Sequence, residues 1–177
     1  MENFAIEKAF LRTSAFHYET GEPIPDELIN RIVKSRNFMA ASGCLRQVSF
    51  GLLDMAYYTQ RNAFTEDIIP FEKEAWKEAI IMKQLPDTCM TTQFSHIMAG
   101  GYAAGYYSYK WAEVLSADCY AAFEEEGLFE PAVGRRFLAE ILSVGGSRPA
   151  IDSFRAFRGR APELDALLRH NGMVEEA

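Results

Sequence analysis

Residues 102–127 read YAAGYYSYKWAEVLSADCYAAFEEEG, and this stretch decides the fold class. Trp111, Val114, Leu115, Ala122 and Phe123 recur at steps of three, four and seven residues, so one side of a helix is apolar. Gly127 ends it, as glycine past a last helical turn does. The same period governs the flanks. Upstream, Leu28, Ile32, Leu45, Val48, Leu52 and Met55 predict helix over residues 25–58, interrupted around Ser42-Gly43. Pro25, Asp26 and Glu27 suit its first turn, where a missing N–H costs nothing and the helix dipole favours acids. Residues 2–16 form an earlier helix, closed by the turn 18–23. A helix over 70–82 precedes the longest loop, 83–101, and such loops collect binding residues. Downstream, helices are expected over 131–142, 151–157 and 162–170, stopped by Gly145-Gly146, Gly159 and Gly172, with a tail at 174–177. No alternating pattern is long enough for a sheet, so the expectation is an all-α chain of one domain or part of one.

Composition narrows function. A net charge of −7 offers no electrostatic footprint for nucleic acid or an anionic membrane surface. Charged residues interrupt every apolar run before it reaches the ~18 residues of a membrane span, and the charged start does not fit a signal peptide. A soluble, cytoplasmic protein is expected. Cys44, Cys89 and Cys119 are odd in number and lack a C-x-x-C spacing, which predicts buried, unpaired thiols.

Chemistry concentrates in residues 94–111, FSHIMAGGYAAGYYSYKW. If a helix begins near Tyr102, then Tyr102, Tyr106, Tyr109 and Glu113 share one face, next to a glycine loop carrying His96. Such donors suit a developing oxyanion, where one of them is worth ~10²–10³ in rate. The same spacing suits amphipathic packing, and Gly100-Gly101 suits a tight turn, so the residues indicate a site without naming a reaction. His17, at a helix end, is expected to bond a terminal carbonyl or water, and His170 to gain from the C-terminal dipole of the last helix. Glu124, Glu125 and Glu126 read as a solvated face. Arg158-Gly159-Arg160 reads either as a carboxylate site or as a fastening for the C-terminal helices.

The run 94–111, with EEEGLF at 124–129, FRGRAP at 157–162 and DALL at 165–168, resembles the C-terminal part of the zinc metallopeptidases of the thimet oligopeptidase, oligopeptidase A and peptidyl-dipeptidase family. MENF at 1–4 and HYETGEP at 17–23 extend the resemblance over essentially the whole chain. It implies a multi-helix portion of a zincin-type catalytic domain, with a deep channel that admits short oligopeptides. It also implies that His96, Tyr102 and Tyr109 hydrogen-bond the substrate and stabilise the tetrahedral oxyanion. Tyr106 would line the same pocket, and Gly100 and Gly101 would belong to a mobile substrate-binding loop. One departure matters. The family holds zinc with an H-E-x-x-H helix and a later glutamate, and this chain has no such motif, its His17, His96 and His170 being too widely spaced. In relatives the third ligand precedes the M-E-N segment, and Met1 matches an internal methionine. Zinc is therefore expected in the complete enzyme and not on this chain alone. A truncated gene product, a fragment or a separately encoded half is expected, inactive alone and partnered by an oligopeptide substrate and the N-terminal half. The alternatives are a non-catalytic peptide-binding module and a chain that complements a separate zinc-bearing half.

Overall fold

Helical periodicity is realised along the chain. The computed structural model describes residues 2–174, so the tail expected at 174–177 lies almost wholly outside the described residues. Among those described are nine α-helices: α1 (Lys8–Ser14), α2 (Asp26–Ser35), α3 (Ala40–Tyr58), α4 (Ile68–Ala75), α5 (Ser95–Met98), α6 (Ser108–Glu126), α7 (Pro131–Phe137), α8 (Ala150–Arg158) and α9 (Asp165–His170). The extended pairing described is one isolated bridge, Phe16 with Pro23, which closes the turn expected there. Two units divide the chain. Met1–Ala40 and Val114–Ala177 form the first, and Ala41–Glu113 the second.

Several boundaries depart from the sequence expectation for identifiable reasons. The first helix is split into a 3-10 turn, Glu2–Ile6, and α1, with Glu7 extended between them. The interruption expected at Ser42-Gly43 lies before Ala40 instead, where Met39 adopts φ +56°; Ser42 and Gly43 are inside α3. Helix α4 starts at Ile68, because the Asp67 side chain accepts from the Ile69 N–H and caps it. Pro70 is then the third residue, where no N–H is needed. Residues 103–107 are turns, and α6 begins only at Ser108.

In the first unit, α6 supplies Ala117, Ala121 and Ala122, small enough to let Ala166 of α9, Val133 of α7 and Phe157 of α8 close on it. Between these apolar contacts lies Asp118, with no exposed surface. Its Oδ1 accepts from Arg158 Nε at 3.0 Å and Arg160 Nη2 at 2.7 Å, and its Oδ2 from Arg160 Nη1 at 2.7 Å and the Glu163 N–H at 2.9 Å. Burial opposes ionisation, yet the Arg160 guanidinium, the Glu163 amide and Arg158 hold the carboxyl below the usual range. Arg158 also forks onto Glu125 at 2.8 and 2.9 Å, and Arg136 pairs with Glu126. The fastening role expected for Arg158-Gly159-Arg160 is thus realised, with Glu125 a further ionic partner of Arg158 and Glu126 held by Arg136, so these two acids are not a purely solvated face. Cys44, Cys89 and Cys119 are unpaired and partly buried, and burial beside Asp118 pushes the Cys119 thiol up to about 11.

The two outlying histidines have partners that the sequence did not mark. His17 Nδ1 accepts from the Glu19 and Thr20 N–H groups at 3.3 Å instead of reaching a carbonyl. His170 Nε2 lies 2.8 Å from Asn3 Oδ1, which fixes it as a donor, and its ring meets Tyr120 edge-on. Burial, then the positive charge of Arg36, lowers its pKa from 6.5 to about 4, so dehydration and a like charge outweigh any gain from the α9 dipole. The unfolded chain therefore takes up a proton that the native chain refuses. Stability present above pH 6.5 should be lost as pH falls to about 4, by up to ~3 kcal/mol. Urea unfolding at pH 7 and pH 4.5 checks this. His170→Gln should flatten the difference within that window, and an unchanged slope would rule His170 out as its source.

Candidate functional site

The second unit is built around α3, whose buried residues Ser49, Phe50, Leu53 and Asp54 recur at steps of one and four and so form one stripe. Against that stripe pack Trp76, Phe94, Ile97 and Tyr106. The aromatic contacts are edge-on or tilted: Phe50 lies 5.7 Å from Tyr106, and Phe94 lies 5.1 Å from Tyr106. Phe94 and Ile97 turn the short α5 apolar side inward, which leaves His96, between them in sequence, on the exposed side. Tyr58 donates its hydroxyl to the Ile97 carbonyl and fastens this turn to α3.

After α5 the chain reverses through Gly100 and Gly101. The Ser95 carbonyl accepts from the Ala99 and Gly100 N–H groups at 2.8 and 2.7 Å, and the His96 carbonyl accepts from Tyr102 N–H at 3.0 Å. A side chain at Gly100 would meet the His96 backbone at 3.0 Å, and Gly101 has φ +81°, so each glycine is required on different grounds. The reversal brings rings together. His96 lies 5.8 Å from Tyr102, 5.8 Å from Tyr106 and 6.1 Å from Tyr109. Tyr102 stacks on Tyr109 at 4.9 Å, and Tyr106 lies 5.1 Å from Tyr109.

The three tyrosines are not equivalent. Tyr106 is 7% exposed and donates its hydroxyl to Gln47 Oε1 at 2.9 Å, so it is a wall whose polar tip is already used. Tyr102 and Tyr109 are 36% and 37% exposed and turn toward solvent. The Tyr102 hydroxyl beside it, then desolvation, pushes the Tyr109 phenol up to about 12, so it stays protonated and able to donate through the neutral range. Two phenols and an imidazole on one open face can hydrogen-bond a peptide and an oxygen that gains charge.

All six residues singled out from the sequence, His96, Gly100, Gly101, Tyr102, Tyr106 and Tyr109, meet in the second unit, whereas His17 and His170 belong to the first. The route differs from the expected helix face. Tyr102 precedes α6 and reaches Tyr109 through a bend, not through helical spacing. Sequence reading missed two buried carboxylates beside the loop, Asp54 and Glu72. Glu72 accepts from the Met90 and Thr91 N–H groups at 2.9 and 2.7 Å and from the Thr91 hydroxyl at 2.6 Å. An acid on a helix has no sequence mark of burial, and nothing local could have flagged either.

Among the described residues no group of three His, Cys, Asp or Glu side chains could hold a metal ion. With His17 and His170 each engaged elsewhere, these residues by themselves do not fit a zinc site. Nor is any helix among the described residues long and apolar enough to cross a membrane.

Oligopeptidase A of Haemophilus influenzae is 48% identical over 98% of this chain and 26% of its own length. Oligopeptidase A of Escherichia coli is 45% identical, again over 98% and 26%. Dipeptidyl carboxypeptidase of Escherichia coli is 33% identical over 97% of this chain and 26% of that protein. The chain thus spans about a quarter of the length of the curated relatives it matches. The model of Peptidase family M3 matches residues 1–173, and the chain belongs to that family.

Proposed function

We propose that this chain forms the substrate-binding and oxyanion-stabilising wall of a zinc-dependent oligopeptidase, with His96, Tyr102 and Tyr109 as the groups that touch the peptide. The observation that carries this reading is the convergence of two solvent-facing phenols, Tyr102 and Tyr109, on His96. Attack on a peptide carbonyl turns a weakly polar oxygen into an oxyanion, and a preset donor binds the charged oxygen more tightly than the carbonyl. That difference lowers the barrier, because the donors need no rearrangement at the moment of reaction. Tyr106 contributes the wall beneath them, Gly100 lets the chain reverse tightly against His96, and Gly101, with nothing within 4 Å of where a Cβ would stand, leaves its backbone open to a close approach by substrate.

Metal and nucleophile belong to residues outside this set, and the isolated chain is inactive on this reading. Its partner is then the remainder of a complete peptidase. Its unpaired thiols are what a reducing compartment preserves, which supports a cytoplasmic location.

The test uses a peptidase in which this chain replaces the matching region of the Haemophilus influenzae relative. His96→Ala and Tyr102→Phe should each lower kcat/KM on a quenched oligopeptide by ~10-fold or more, while His17→Ala stays within a few-fold. Equal effects of all three variants would remove the basis for singling out this face.

A further inference from the structure

Residues 102–107 form neither helix nor strand, yet they carry one member of the stacked tyrosine pair and lead directly into the other. Their shape has an external template. Asp54, on α3 and without exposed surface, directs its two oxygens to two backbone amides of this segment: Oδ1 accepts from Ala104 N–H and Oδ2 from Tyr106 N–H, each at 2.9 Å. Between these amides the chain bends through Ala104 at φ +54°, a left-handed conformation that an alanine adopts only when its surroundings impose it. Gly105 N–H then reaches back to the Tyr102 carbonyl at 2.9 Å, and Tyr109 N–H to the Tyr106 carbonyl at 3.2 Å, so the bend runs straight into the first turn of α6.

We propose that Asp54 is a positioning residue of the site: its buried carboxylate sets the bend that lays Tyr102 against Tyr109. The catalytic part of this inference rests on the reading of Tyr109 as a donor to the oxyanion. A carboxylate suits the task because it offers acceptors on both oxygens. An asparagine has one acceptor oxygen and turns an NH₂ group against the second amide, leaving that N–H buried and unpaired. Glu72 serves as the internal comparison. It is equally buried and holds backbone amides of the same loop, but at Met90 and Thr91, well before the tyrosines.

The experiment is a double-mutant cycle in the complete peptidase described above, with kcat and KM measured for Asp54→Asn, Tyr109→Phe and the pair. Asp54→Asn should lower kcat by ~10-fold or more, as small misplacements of a catalytic group do, with KM within a few-fold. In the Tyr109→Phe background the same change should cost less than ~3-fold, because the group it positions is gone. Losses that multiply in full would overturn the proposal while leaving the Tyr109 reading intact. So would an equal loss of kcat in Glu72→Gln at a matched fall in melting temperature. If Tyr109→Phe alone keeps wild-type kcat, the functional reading fails, and Asp54 is judged on structure alone. In the chain labelled with 3-fluorotyrosine, Asp54→Asn should displace the Tyr102 and Tyr109 fluorine resonances and Glu72→Gln should not; resonances unmoved by Asp54→Asn would overturn the proposal. Should Asp54→Asn fail to fold, Asp54→Glu enters the same cycle, keeping the charge and shifting it by one methylene. Loss of the fold in both would assign Asp54 to stability alone and overturn the positioning role.

Discussion

Tyr109→Phe, in a peptidase carrying this chain in place of the matching region of its Haemophilus influenzae relative, is expected to lower kcat by ~100-fold with little change in KM. The substitution removes one oxygen and leaves the ring, so the 4.9 Å stack on Tyr102 and the contact with Tyr106 persist. What disappears is a donor whose value is realised only when the substrate oxygen is charged, and such a loss appears in kcat rather than in ground-state affinity. A phenol pushed up to about 12 does not titrate through the neutral range, so the loss should be the same at pH 6.5 and pH 8.5. A loss that shrinks by tenfold across that interval, or wild-type kcat at unchanged metal content, would return the tyrosine pair to a packing role.

The largest effect on stability is expected at Asp118. In Asp118→Ala, Arg158, whose side chain is 5% exposed, keeps Glu125 but loses the buried half of its pairing. Arg160 and the Glu163 amide lose acceptors at the same time. Removing one member of a buried ionic network typically costs about 3–5 kcal/mol, because the partner charge stays desolvated without compensation. Urea unfolding followed by far-ultraviolet circular dichroism measures it, and a cost under ~1 kcal/mol would mean that water replaces the carboxylate freely. The exposed Lys8–Asp26 pair offers the contrast: half-solvated on both sides, it should contribute little on removal.

These two sites also show what was legible beforehand. The helices were readable because burying one face imposes a period that the chain cannot hide: α6 and α8 end at the expected residues or within one of them, and the helix expected to 142 runs on from α7 as a π-turn over Leu138–Leu142. The break at Met39 was not readable, since a left-handed methionine is set by its surroundings and Ser42-Gly43 was the more evident local signal. At the site, His96, the glycine pair and the tyrosines stood out as a cluster in sequence. The bend between Tyr102 and Tyr106 did not, because alanine favours helix and a single glycine at 105 weakens a helix without excluding one. Its cause is a carboxylate on α3, fifty residues away. Long-range acceptors such as Asp54 and Asp118 are invisible to periodicity, and they define where the local rules stop.

The division of the chain also bears on the order in which it assembles during synthesis. The second unit is one continuous segment, Ala41–Glu113, and every hydrogen bond described around its tyrosines is internal to it, so it is complete as soon as that segment has been made. The first unit is written in two pieces separated by the whole of the second. Asp118 must wait for Arg158 and Arg160, forty and forty-two residues later, before it can leave water. During translation the second unit is thus made in full before Arg158 and Arg160, the two residues that lock α6, and the centre of α6 stays hydrated until they arrive.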